Sequence, residues 1–194
     1  MSTPVLEQSP ASSSDSSDAE ETDGDTQTHR DILFSECEVT GTDDTYINCS
    51  FDRCKFTADL SEAAFTQCTL RSVIFGGTVE DSSFDRCRLF DASFVRRCQD
   101  CTFVGCNMDR VRGVWDALRN VYIDTLFENV SHKKRAKWDR CRLTRCRFVK
   151  CILDTSRWTD CVAAGVTWRE CSMARCMVSR AVLRRCTFCD TNLT

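Results

Sequence analysis

From Trp138 to the last residues a bulky or apolar side chain recurs every five positions: Trp138, Leu143, Phe148, Leu153, Trp158, Ala163, Trp168, Met173, Val178, Leu183, Phe188 and Leu193. Two residues before each centre, from Leu143 onward, stands a small residue: Cys141, Cys146, Cys151, Ser156, Cys161, Val166, Cys171, Cys176, Ala181, Cys186 and Thr191. A helix repeats every 3.6 residues and a strand every two, so neither accommodates this period. A chain that turns a corner every five residues does. Four sides then make a coil of about twenty residues, and successive coils stack at the inter-strand spacing of about 4.8 Å. The small residue points inward near one end of each side, and the large one fills the axis.

The same pairing runs upstream: Cys37/Val39, Cys49/Phe51, Cys54/Phe56, Ala58/Leu60, Ala63/Phe65, Cys68/Leu70 and Val73/Phe75. It continues with Ser82/Phe84, Cys87/Leu89, Ala92/Phe94, Cys101/Phe103 and Cys106/Met108. The phase slips between Phe56 and Leu60, Phe75 and Phe84, and Phe94 and Phe103, each by one missing residue. Stacking at twenty residues places Trp138 on Trp158, Phe148 on Trp168 on Phe188, and Cys141 beneath Cys161. Outward positions carry alternating charge at the same spacing, with Asp160 between Arg140 and Arg180 and Glu170 beside Lys150.

This pattern resembles the pentapeptide-repeat family, whose ideal unit is A-(D/N)-L-x-x. Ala58-Asp59-Leu60 matches that unit and Thr191-Asn192-Leu193 nearly does. Cysteine replaces most alanines, which preserves the packing logic. The residue before the centre is usually neither Asp nor Asn. The resemblance covers about residues 32–113 and 138–194 and implies an all-β, right-handed quadrilateral β-helix, the pentapeptide-repeat solenoid. Residues 1–31 have almost nothing to bury, hold both prolines, and read as a disordered acidic Ser-rich tail. Residues 32–194 form the β-helix, interrupted at 114–137. There Trp115, Leu118, Tyr122 and Leu126 have helical spacing and predict a short helical insertion, although the alternation of Val121, Ile123 and Phe127 also allows a strand.

Sixteen cysteines without a visible secretory signal or membrane-length apolar run point to a reducing compartment, nuclear or cytoplasmic, and to no membrane partner. Fourteen of them fall on the small inward position, where free cysteine acts as a small buried hydrophobe. Cys98 and Cys189 fall outside that set and form Cys98-x-x-Cys101 and Cys186-x-x-Cys189. Four such ligands suit structural zinc, but the two pairs sit near opposite ends of the tube. No metal or cofactor is expected. The two histidines, His29 in the tail and His132 in the basic loop, leave the cysteines without a base. No Gly-rich phosphate loop or hydrolase elbow occurs, so no enzyme is expected.

The charge is asymmetric. Residues 1–31 carry eight acids and one base, a net −7, whereas 132–194 carry fifteen bases and five acids, a net +10. Arg140, Arg142, Arg145, Arg147 and Lys150 form a candidate basic surface. Lys133, Lys134, Arg135 and Lys137 resemble a nuclear import signal. Ser12 and Ser17 have acids three residues on, Asp15 and Glu20, and suit an acidophilic kinase. The expected function is a non-enzymatic protein-protein interaction scaffold, nuclear and regulatory. Its partners are other proteins. The alternative is a nucleic-acid binder using the basic 132–194 surface. The resemblance also implies a third reading, since the best-known pentapeptide-repeat proteins mimic DNA and protect type II topoisomerases. That mimicry needs a negative rod, which the basic C-terminal half does not offer.

Overall fold

The computed structural model describes residues 26–113, 116–131 and 136–194. Their strands, two or three residues each, are all parallel and fall into four faces of a square coil. The first face has nine strands, from Thr28–Arg30 to Val182–Arg184. The second has nine, from Leu33–Ser35 to Thr187–Cys189, and the fourth has seven, from Leu60–Ser61 to Met177–Ser179. The third has four strands, Glu38–Val39 to Ser93–Phe94, and is extended by the bridges Ser93–Arg112 and Ser131–Ile152–Ser172–Asn192.

The backbone alternates a buried centre between two outward neighbours, and a corner residue follows. Among the described residues twenty-five non-glycine residues have positive φ, Gln67 (55°), Arg140 (53°) and Lys150 (52°) among them. Each lies at a corner, where a left-handed residue redirects the chain. Such a conformation costs an L-residue about 1–2 kcal/mol, and the ladder hydrogen bonds between coils offset it. Between the third and fourth faces of the early coils this corner residue is missing. Phe56 to Leu60, Phe75 to Val79 and Phe94 to Cys98 are therefore four-residue steps. The coil there is nineteen residues, as in the pairing of Phe65 with Phe84, and becomes twenty later, as in Trp138 with Trp158. The phase slips in the sequence are these short corners.

The core is a set of ring stacks along the axis. On the first face His29, Tyr46, Phe65, Phe84, Phe103 and Tyr122 stack at 4.7–5.1 Å. On the second, Phe127, Phe148, Trp168 and Phe188 stack at 4.5, 5.6 and 4.7 Å. Trp138 lies on Trp158 at 4.7 Å. Neighbouring faces exchange volume along the axis. Early coils place Phe or Tyr on the first face and Cys98 or Ala117 on the fourth. Later coils place Leu143 or Ala163 on the first and Trp138 or Trp158 on the fourth.

Three expectations need correction. The described residues of the segment 114–137 form no helical insertion: Asp116–Leu118, Val121–Ile123 and Leu126–Glu128 are strands that continue the fourth, first and second faces. Of the four residues with helical spacing, Tyr122 is the axial one, Leu118 and Leu126 point outward and are half-buried, and Trp115 is outside the described residues. The period is hidden because its diagnostic positions carry unusual residues. Gly113 stands where Phe94 stands one coil earlier, and its φ of 86° leaves no room for a Cβ, which would meet the Phe94 carbonyl. Ala117 occupies a centre, and polar Asn120 and Thr125 occupy small positions, all three buried.

Second, the coil begins before residue 32. Thr28–Arg30 pairs with Thr45–Ile47, so His29 belongs to the wall and not to the tail. Third, Cys98 is not outside the inward set. It fills an axial centre between Val79 and Ala117 and is fully buried.

Candidate interaction surface

The inward chemistry is fully engaged. Thiols at the small position donate to two carbonyls at once, one in the previous coil and one two residues back. Cys68 donates to the Tyr46 and Thr66 oxygens at 3.3 and 3.4 Å, and Cys106 to Phe84 and Val104 at 3.2 and 3.5 Å. Thr125 makes the same pair of bonds with its hydroxyl, to Phe103 and Ile123, both at 3.1 Å. Asn120 accepts from the Cys101 amide at 2.9 Å and donates to the Cys98 carbonyl at 3.0 Å. Burial pushes the Cys146 thiol up to about 11. Cys151 is held well above the ordinary thiol range by its hydrogen bond with Cys171 and by burial. The same bond lowers Cys171 to about 7, but that thiol is buried at 3%, whereas a reactive cysteine is partly exposed in an electropositive setting.

The Cys-x-x-Cys pairs do not converge. Cys98 and Cys101 face inward in one middle coil, while in the last coil Cys186 is half-buried and Cys189 exposed. Among the described residues no group of three or more His, Cys, Asp or Glu side chains is arranged to hold a metal ion.

Chemistry available to a partner is therefore on the outside. Most early cations are matched with acids. Arg53 pairs with Glu36 at 2.6 Å, Lys55 with Glu38 at 3.9 Å, Arg86 with Asp85 at 2.8 Å, Arg110 with Asp91 at 3.4 Å, and Arg119 with Asp100. Arg110 also covers the half-exposed Phe90 ring at 4.1 Å.

The five residues of the basic surface occupy one coil but differ in state. Arg140 pairs with Asp139 at 3.4 Å and Arg145 with Asp124 at 2.7 Å. Arg142 projects from the first face, Arg147 from the second, and Lys150 from the corner beyond it. All three are exposed, and none has an ion pair among the described residues. Arg157, Arg175, Arg184 and Arg185 extend this set into the later coils, again without an ion pair among the described residues. Asp160 does pair with Arg180, at 2.6 Å. Glu170 follows Lys150 one coil later in the same corner column, as the spacing predicts, but its ion pair is with Arg169 at 3.1 Å. Arginine guanidinium groups hold the carboxyls of Asp100, Asp124 and Asp160 below the usual range.

Lys133, Lys134 and Arg135 lie outside the described residues, as do Ser12 and Ser17 and the remaining histidine, His132. Lys137 is exposed but sits in the wall, where its strand aligns in parallel register with Asp116–Leu118 of the adjacent coil. Two further surfaces escape the sequence reading. At one end Asp44 accepts from the Tyr46 hydroxyl at 3.2 Å and from the Gln27 amide at 3.1 Å, and contacts the His29 ring at 3.2 Å. At the other, the last coil leaves an open apolar hollow of about 250 Å³ between Trp168, Val178, Leu183, Phe188 and Leu193. A break in the period conceals the first, because the Tyr46 centre has no small apolar residue two places before it.

Comparison with solved structures shows what this geometry resembles. QnrB1, a plasmid-mediated fluoroquinolone resistance protein, superposes in one trypsin-treated variant form with a TM-score of 0.63 at 15% identity. The match covers 83% of this chain and 91% of that one. A second trypsin-treated variant of QnrB1 gives 0.55 at 14% identity, over 82% and 91%. HetL, a pentapeptide repeat protein from the cyanobacterium Nostoc involved in heterocyst differentiation regulation, gives 0.35 at 10%, over 83% and 87%, and carries no argument by itself. The fold is the pentapeptide-repeat β-helix. In this chain cysteine dominates the small inward position. No sequence-family model and no curated protein sequence matches it.

Proposed function

We propose that this pentapeptide-repeat chain is a non-enzymatic interaction scaffold whose later coils dock an acidic protein surface. One observation carries the reading: exposed Arg142, Arg147 and Lys150 project from successive sides of one coil without a neutralising acid among the described residues, while most cations of the earlier coils have one. A solenoid holds such groups at fixed spacing on long walls, which is the usual basis of extended recognition by repeat proteins. Unmatched charge steers association and rejects cationic partners.

The finer assignments belong to the same proposal. The acidic Ser-rich segment is a regulatory element phosphorylated at Ser12 and Ser17. Lys133, Lys134, Arg135 and Lys137 direct import into the nucleus. The nucleic-acid reading uses the same cations for phosphates. The ring stacks are turned inward, away from bases that would need an aromatic platform, which favours a protein partner.

A competition separates the two. Fluorescence anisotropy is recorded with a labelled polyglutamate peptide and with a 20-base-pair duplex at rising salt. The proposal expects the peptide to bind and the duplex to bind more weakly. A duplex that binds more tightly, with a steep loss of affinity as salt rises, establishes the nucleic-acid reading instead.

A further inference from the structure

Most of the sixteen thiols are sealed inside the tube. The exceptions are Cys37, Cys176 and Cys186, which are half-buried, and Cys189, which is exposed. Cys189 points outward, and Cys176 meets the Ser156 hydroxyl at 3.1 Å. Cys37 is different: its Sγ lies 3.3 Å from Sγ of Cys54 in the next coil.

The register that brings the two sulfurs together is held on both sides. Val39 pairs with Phe56, and the Lys55 amide donates to the Cys37 carbonyl at 2.9 Å. Flanking ion pairs, Glu36–Arg53 at 2.6 Å and Glu38–Lys55 at 3.9 Å, link the same two strands. Neighbouring strands lie about 4.8 Å apart, inside the Cα separation of roughly 4.4–6.8 Å that a disulfide spans. Side-chain rotation closes the remaining distance to about 2.05 Å.

We infer that Cys37 and Cys54 are an oxidisable dithiol, which hydrogen peroxide converts to a disulfide that staples the first coil to the second. The Cys37 thiolate attacks a peroxide oxygen, the O–O bond breaks, and hydroxide leaves and takes up a proton. The sulfur of Cys54 then attacks the resulting sulfenic acid, the S–O bond breaks, and water departs with the Cys54 proton. Two thiols lose two electrons, the peroxide gains them, and the products are one disulfide and two waters. Cys37 is the entry point because it is half-exposed, whereas Cys54 is buried at 1%. The stacked thiols of Cys68, Cys87 and Cys106 are close partners as well, but all three are buried.

Burial and the Cys54 thiol push Cys37 up to about 11. Thiolate is therefore scarce at neutral pH, and oxidation is slow there and accelerates with pH. The first coil has most to gain, because its axial residues His29, Phe34 and Val39 are only half-buried. The staple is independent of the acidic-partner reading.

The test uses the full chain with Cys189→Ser, which removes the exposed thiol. Hydrogen peroxide is added at pH values from about 7 to 10, and samples are alkylated under denaturing conditions and mapped by mass spectrometry. The expected product is a Cys37–Cys54 linked peptide, reversed by dithiothreitol, with an initial rate rising about tenfold per pH unit. Amide exchange over residues 26–39 should slow on the order of a hundredfold once the short loop is closed. With Cys54→Ala, Cys37 should instead be trapped as a sulfenic acid that dimedone labels. Linkage of Cys37 to another cysteine, a rate flat with pH, no dimedone adduct, or linkage without slower exchange each overturns the inference.

Discussion

Cysteine is the residue that decides this molecule, and its role is volume and hydrogen bonding. Cys146 is fully buried and donates to the Tyr122 and Thr144 carbonyls at 3.3 and 3.5 Å. Cys146→Ala should cost about 1 kcal/mol in chemical denaturation, whereas Cys146→Asp places a charge in the tube and should abolish the folded baseline. A folded aspartate variant would show the position to be open to water. Tryptophan gives a finer test. Trp158 donates its indole N–H to Ser156 at 2.9 Å, but the indole N–H groups of Trp138 and Trp168 have no partner among the described residues. An unsatisfied buried donor costs roughly 1–3 kcal/mol. Trp138→Phe should therefore destabilise less than Trp158→Phe, by about 1 kcal/mol in parallel urea titrations. Equal losses would mean that the Trp138 donor finds a partner. Sequence alone misplaces Cys98 because a centre filled by a small residue looks the same as a missing repeat. Only the neighbouring coils, Val79 before and Ala117 after, reveal its place.

Elements here are sides of a square, and corners set their length. Gln67 occupies a corner with φ of 55°, in the column that holds Gly105 and Gly165 in later coils. Gln67→Gly should be close to neutral in thermal melts, since relief of the left-handed strain offsets the added chain entropy. Gln67→Val should cost about 1–2 kcal/mol. A tolerated valine would argue against a strained corner. The five-residue sides are legible in the sequence wherever a small and a large apolar residue recur. They become illegible between Gly113 and Thr125, where close approach of the backbone requires glycine and polar side chains supply the inter-coil hydrogen bonds. A period found by apolarity alone cannot register a side whose small position is Asn120, although that residue satisfies the Cys101 amide as the fold requires.

The whole molecule separates a closed interior from a charged exterior. Asp100, Asp124 and Asp160 have depressed carboxyl values because arginines bond to them. Their stabilising effect is complete above the usual carboxylate range, about pH 4, and is lost as pH falls through the lower folded values. These pairs are exposed, so the acid loss should be shallow and should shrink in high salt. Thermal melts from about pH 6 down to 2 should show a smaller acid-induced drop for Asp124→Asn than for the unsubstituted chain, and identical drops would remove this pair from the account. Charge asymmetry is plain in the sequence, but which cations lack a partner is not, because Asp124 reaches Arg145 only through the coil register. The most direct measurement is a paired one on Arg142→Glu/Arg147→Glu/Lys150→Glu: its thermal transition, and its affinity for the polyglutamate probe. The account predicts an unchanged transition with binding lost, since all three side chains are exposed and lack an ion pair among the described residues. Binding retained by a folded triple variant would contradict it.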